Sequence, residues 1–217
     1  MSSRRGAERQ NDQLQAKVRN LQEQFISLLK ALSGTIDARD PHTQGHSFKV
    51  CQHALAMGAE LGFSAQRLER LEIAALLHDI GKIGVEAFIL QKPSDLNELE
   101  VMAIRHHPLL GVRILKSVKQ LADVIPFIRH HHERYDGQGY PDGIVGEQIP
   151  LEARILAVAD SFDAMTSHRP YRKAMSSQTA LGELREKSGT QFDPRIVEVF
   201  CAVFERGAIA VNSQEVT

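Results

Sequence analysis

Leu76-Leu77-His78-Asp79-Ile80-Gly81-Lys82 ends an apolar helical run with an imidazole beside a carboxylate, and a lysine follows three residues after the aspartate. Adjacent side chains on a helix diverge by about 100°, so His78 and Asp79 converge on one object only if it lies between them. A metal ion is such an object. Without it, an aspartate among Leu and Ile carries a heavy desolvation cost, and the C-terminal end of a helix disfavours an anion. The run leading into the pair carries Leu68, Leu71, Ala74, Ala75, Leu76 and Leu77; Ser64 is placed to cap it and Gly81 to stop it.

Helical spacing extends in both directions from this point. Upstream, Leu14, Val18, Leu21, Phe25, Leu28 and Leu32 repeat every four and three residues, a heptad stripe with Leu at every d position. A stripe this narrow fits the seam of a two-helix coiled coil, and the simpler alternative is a first helix lying on its own domain. Residues 1–13 are expected to fray. Asp40-Pro41 breaks the chain, and a second helix runs through His46, Val50, His53, Ala54 and Met57 towards Gly62. Downstream, Ser94 or Asp95 is expected to cap a helix carrying Val101 and Ile104, interrupted at Pro108 and resumed through Val112 and Leu115. Residues 121–132 also read as helix. Residues 136–150 are too dense in Gly, Pro and Asp to be helical. Helices return over 151–167 and 179–187, and Asp193-Pro194 opens a last one to about Phe204. Strand signals are nearly absent, so the fold class is all-α: a helical bundle interrupted by one irregular Gly/Pro-rich loop.

Composition narrows the function classes. In 217 residues, 26 Lys and Arg face 27 Asp and Glu, so net charge gives no reason to expect a nucleic-acid polymer as partner. Cys51 and Cys201 read as small buried hydrophobes. No apolar run is long enough to span a bilayer and no signal peptide opens the chain, which leads to the expectation of a cytoplasmic protein. The 10 histidines are concentrated in short clusters. Besides His78-Asp79 these are His46, His106-His107-Pro108 and His130-His131-His132-Glu133, with Asp160 closing another apolar stretch. Imidazoles and carboxylates without thiolates suit Mn, Fe, Zn, Co or Ni. So many ligands suit two ions sharing Asp79, a device used to activate water against phosphate. Of His106 and His107, only the latter is expected to reach metal. Glu133 and Asp163 are expected to orient ligands or cap turns, and His42, His53 and His168 to be structural or solvent-facing.

Taken in order, these residues resemble the HD-GYP family, a branch of the HD metal-dependent phosphohydrolases. The resemblance rests on His78-Asp79-Ile80-Gly81-Lys82 and on the longer motif His131-His132-Glu133-Arg134-Tyr135-Asp136-Gly137-Gln138-Gly139-Tyr140-Pro141. Arg39-Asp40-Pro41, Gly45-His46-Ser47, Ile149-Pro150-Leu151-Glu152-Ala153-Arg154-Ile155, Ser167-His168-Arg169-Pro170-Tyr171-Arg172 and Phe192-Asp193-Pro194 add to it. It runs from about Leu29 to Phe204 and implies an HD-domain helical bundle, set at residues 34–206; the coiled-coil-like helix read from the heptad stripe (1–33), a dimerisation seam or signalling linker, precedes it, and a loose tail (207–217) is expected to follow. It further implies hydrolysis of cyclic di-GMP to linear pGpG, and on towards GMP, by hydroxide held between two divalent ions, with Fe, Mn or Ni favoured. The implied ligands are His46, His78, Asp79, His107, His131, His132 and Asp160. Asp79 and Lys82 carry the chemistry, Lys82 against the scissile phosphate. Arg169 and Arg172 hold phosphate, and Gly139, Tyr140 and Pro141 form the lip of the site. Arg172 stands where Lys is usual, which keeps the charge. His42 stands where three-metal members carry Glu, which favours two ions. Val85-Glu86 and Ser94 depart from the common pattern beside the site without removing chemistry.

Two rival functions remain at this stage. One is an HD phosphohydrolase acting on another nucleotide or cyclic dinucleotide. The other is a catalytically weak adaptor that binds cyclic di-GMP, a diguanylate cyclase or another signalling protein. A homodimer through the N-terminal helix is expected with any of them.

Overall fold

The computed structural model describes residues 2–39, 45–167 and 174–209. Among the described residues ten α-helices follow one another: α1 (Ser2–Asp37), α2 (His46–Glu60), α3 (Ala65–Leu77), α4 (Ala87–Leu90), α5 (Glu98–Arg105), α6 (His107–Leu115), α7 (Ile125–Arg129), α8 (Leu151–Thr166), α9 (Ser177–Glu186) and α10 (Pro194–Glu205). Single 3-10 turns lie at Ile80–Gly84, Lys119–Leu121 and Gly146–Gln148. Among the described residues the only β feature is an isolated bridge between Ser188 and Phe192. The all-α expectation holds.

Local chemistry places most helix starts. The Ser64 hydroxyl accepts from the Arg67 amide, Ser176 from Thr179, and the Asp193 carboxylate from Arg195 with Pro194 in the first turn. Several expectations need correction. The cap of α5 is Asn97, not Ser94 or Asp95: its side chain accepts from the Glu100 amide while Glu100 reaches back to the Asn97 amide. That reciprocal pair satisfies two orphan donors at once, and it outcompetes a single cap two residues earlier. Residues 121–132 do not form one helix either. Pro126 lacks an N–H and crowds the residue before it, so only Ile125–Arg129 is α-helical, entered from a 3-10 turn. The α3 run ends at Leu77, earlier than Gly81, and the chain goes on through Asp79 into the Ile80–Gly84 turn.

The core is one apolar cluster shared by α2, α3, α8, α9 and α10. Val50, Ala54 and Met57 of α2 meet Leu71, Ala74 and Leu77 of α3, Ile155, Leu156 and Phe162 of α8, and Ile196 and Phe200 of α10. Cys51 and Cys201 are buried free thiols. Helix α1 is continuous from Ser2, so the stretch expected to fray is helical. Among the described residues its second half packs on the domain, through Ile26, Leu29, Ser33 and Ile36, with Phe25 of the stripe also packed against the core. That buried line runs one residue behind the heptad stripe and leaves Leu14, Val18, Leu21, Leu28 and Leu32 exposed. No helix among the described residues is long and apolar enough to cross a membrane.

Candidate metal centre

Backbone carbonyls one turn upstream fix three of the histidines. Nδ1 of His78 donates to the Ala75 carbonyl, that of His107 to Ile104 and that of His131 to Ile128, each at 2.7 Å. A carbonyl only accepts, so Nδ1 donates in each ring and Nε2 is the nitrogen left to face the cluster. Those Nε2 atoms converge. Nε2 of His107 lies 3.3 Å from Nε2 of His131, and Nε2 of His78 is buried with no hydrogen-bond partner. Burial and the neighbouring imidazoles hold His131 well below the usual histidine range and bring His132 down to about 3. Ring nitrogens turned towards one another in a dry site are what a cation would satisfy.

The carboxylate between them is Asp79. Its Oδ1 is 3.2 Å from His107 Nε2, while Oδ2 is 2.7 Å from Lys82 Nζ and 3.5 Å from His78 Nε2. Burial would raise its pKa, but Lys82 and the imidazoles of His78 and His107 hold it well below the usual carboxylate range. Asp79, His107, His131 and His132 bring ligand atoms within 4.8 Å of one another, and so do His46, His78 and Asp79. Two donor sets therefore share one carboxylate. His46, at the start of α2, presents Nε2 to Asp160 Oδ1 at 3.1 Å, and its Nδ1 meets Asp163 Oδ2 at 2.6 Å. Despite burial, these two carboxylates raise His46 to about 10. Asp160 itself is held far below its usual range by His46 in spite of burial. The structure thus brings His46, His78, Asp79, His107, His131, His132 and Asp160 into one cluster. The donor chemistry fits divalent cations.

Gly81 lets the two motif segments approach. A Cβ there would stand 1.9 Å from the His107 carbonyl oxygen and 2.6 Å from the Gly111 amide nitrogen, so only glycine permits the His78-Asp79 turn to lie against α6. The irregular loop is tied down just as closely. Glu133, buried, accepts from the amides of Asp142 and Gly143, and Arg129 grips the Asp142 carboxylate with both branches of its guanidinium at 2.7 and 2.6 Å. Gly139 packs so near the backbone of Glu133 and Arg134 that a Cβ would fall 2.2 Å from the Arg134 nitrogen. The outcome is that Tyr140 stacks on His132, centroids 4.9 Å apart and planes 30° from parallel. Pro141, half-buried and joined to Tyr140 by a cis peptide, lies beside it.

Among the other histidines, His106 is exposed at the α5–α6 junction. His53 is buried edge-on to Phe162 and Phe200, and burial lowers it to about 4. Arg169, Arg172, His42 and His168 lie outside the described residues. Sequence reasoning overlooked Arg105, whose guanidinium carbon is 5.3 Å from the centroid of the Tyr140 ring; no local spacing links residues 105 and 140. It also overlooked the carbonyls of Ala75, Ile104 and Ile128, for which a histidine at the end of a helix, three residues on, was the available signal.

The HD domain family model matches residues 30–196. The cyclic di-GMP phosphodiesterase response regulator RpfG of Xanthomonas campestris is 42% identical over 85% of this chain and 50% of its own length. A 3'3'-cGAMP-specific phosphodiesterase, number 3 of Vibrio cholerae, is 39% identical over 81% of this chain and 38% of its own. This chain thus spans about half the length, or less, of these curated relatives. Among solved structures, the cyclic GMP-AMP-specific phosphodiesterase V-cGAP3 of Vibrio cholerae superposes with a TM-score of 0.66 at 22% identity, over 86% of this chain and 51% of that one, a likeness of fold. Matched over most of its length and carrying both motifs in register, the chain belongs to the HD domain family, in its HD-GYP branch.

Proposed function

We propose that this chain is a phosphodiesterase catalytic unit that holds two divalent ions, Fe, Mn or Ni, and hydrolyses cyclic di-GMP to linear pGpG. The observation that carries this reading is the single buried carboxylate of Asp79 set between two groups of imidazoles whose ring nitrogens face inward. Asp79 is the shared ligand, with His78, His46 and Asp160 on one side and His107, His131 and His132 on the other. Divalent ions so held supply water of lowered pKa and positive charge against the phosphoryl oxygens. Lys82 is placed to add its ammonium to that charge. Arg169 and Arg172 hold phosphate by the resemblance, and Tyr140 with Gly139 and Pro141 shapes the rim. The name of the Xanthomonas relative supports the choice of substrate.

The test is direct. Purified protein reconstituted separately with Mn, Fe and Ni is offered cyclic di-GMP, 3'3'-cGAMP and a deoxynucleoside triphosphate, and products are resolved by chromatography. Cyclic di-GMP consumed fastest, giving pGpG, supports the reading. Preference for 3'3'-cGAMP would replace it with the specificity borne by the Vibrio relative. Metal bound without hydrolysis of any of the three would favour the adaptor.

Asp163 has a distinct part: it accepts from His46 Nδ1 and so aims Nε2 at the cluster. Asp163→Ala is expected to weaken metal retention by roughly 10- to 100-fold, read by competition with a chelator, with Asp163→Asn falling between it and the wild type. The exposed stripe on α1 is assigned to a homodimer, because five large apolar side chains at coiled-coil spacing face water while the adjacent line of the same helix is already used by the domain. Sedimentation is expected to give a dimer that Leu21→Glu with Leu28→Glu converts to a folded monomer. A wild type that sediments as a monomer at high concentration removes the seam.

A further inference from the structure

Arg105 closes helix α5 beside the candidate ligand His107, and none of the roles above uses it. A cation in the last turn of a helix is ordinary; this one has two further properties. Its guanidinium lies over Tyr140, 5.3 Å from the ring centroid, and Tyr140 in turn stacks on His132. A line of contacts thus runs from the metal-ligand cluster through an aromatic ring to an exposed positive charge. Among the described residues Arg105 forms no ion pair, whereas Arg129, Arg134 and Arg154 are committed to Asp142, Asp136 and Asp193. Helix α5 presents it firmly, since the Asn97–Glu100 capping box fixes the other end.

An unpaired planar cation at the rim of a site for phosphodiesters is matched to a second anionic group of the same substrate. A cyclic dinucleotide carries two phosphodiesters. The one at the cluster meets Asp79 and Lys82, and the other must lie outwards, where Tyr140 and Arg105 stand. We propose that Arg105 is a substrate-binding residue that pairs with the phosphodiester not being cleaved, the Tyr140 ring holding its guanidinium in place. This rests on the phosphodiesterase reading and adds to it a residue that distinguishes dinucleotides from simpler diesters.

The experiment compares wild type, Arg105→Ala and Arg105→Lys, loaded with metal and checked for equal metal content, on cyclic di-GMP and on bis(p-nitrophenyl) phosphate, which has a single phosphodiester and no second anion. Calorimetric binding of the product pGpG supplies a readout apart from turnover. Arg105→Ala is expected to raise KM for cyclic di-GMP roughly 10- to 100-fold, to weaken pGpG by a similar factor, and to leave kcat and the cleavage of bis(p-nitrophenyl) phosphate little changed; Arg105→Lys recovers part of the loss. An unchanged KM in the alanine variant overturns the proposal, and so does an equal loss on both substrates, which would put Arg105 in the upkeep of the cluster. If the wild type cleaves another cyclic dinucleotide instead, the substrate reading falls and the same comparison with that dinucleotide decides on Arg105. Cleavage of the simple diester alone would end both.

Discussion

Asp79→Ala is expected to remove bound metal and hydrolysis together. The carboxylate is the one group common to both sets of donor atoms, so its loss leaves the His107, His131 and His132 set with no anion to bring a dication out of water and the His46 and His78 set with Asp160 alone. The charge stabilisation that divalent ions give a phosphoryl group amounts to several kcal/mol, so turnover of cyclic di-GMP should fall by about 1,000-fold or more. The fold should survive. Lys82, the ammonium that would lose its contact with Asp79, keeps 19% of its side chain exposed and can turn to water, and the apolar core lies on other faces of α2, α3 and α8. Elemental analysis, hydrolysis and circular dichroism on the same preparation check this. Loss of hydrolysis with two ions still bound would take Asp79 out of the ligand set, and loss of the helical spectrum would make it a structural residue. Asp79→Asn sharpens the distinction: it keeps the shape and removes the charge, and should match the alanine variant in metal content.

The helices whose ends are set by neighbouring residues were legible before any coordinates. Ser64 and Asp193 each cap within three positions, and the apolar faces of α3 and α10 repeat with the helical period. Where two local signals competed, the stronger won unseen: the Asn97–Glu100 pair displaced the cap expected at Ser94 or Asp95, and Pro126 divided what periodicity alone read as one helix. The N-terminal stripe was legible as a pattern, but not the fact that the domain takes the adjacent line of residues, because a heptad states which side chains align and not what they face. In the site, residue types led to the histidines and Asp79, and the longer motif singled out the Tyr140 loop. What holds that loop was not legible, since Glu133 binds amides nine and ten residues on, and Arg129 reaches Asp142 across the turn. Arg105 was invisible for the same reason; its contact with Tyr140 spans two helices and a loop.

Lys82→Ala carries the second large effect, and it separates binding of metal from its use. Lys82 stands one 3-10 turn after Asp79 with Nζ 2.7 Å from Oδ2, so the backbone that places the shared carboxylate also places the ammonium. Two roles are open to such a lysine. As a charge partner for Asp79 it would matter most before metal arrives, and a dication at the same carboxylate would take over that task. As an electrophile it would matter only as negative charge grows on the phosphoryl oxygens, and no ligand in the cluster could replace it. Donors preorganised for developing charge typically account for 100- to 1,000-fold in kcat, about 3–4 kcal/mol. The second role therefore predicts a fall in kcat of roughly that size with metal content at the wild-type level and KM for cyclic di-GMP changed less. The first predicts weaker metal retention and a kcat that recovers when metal is supplied in excess. Lys82→Arg keeps charge but spreads it over a wider plane, and should restore only part of the rate. If turnover in Lys82→Ala equals the wild type at saturating metal, Lys82 has no part in the chemistry, and the cluster alone bears the transition state.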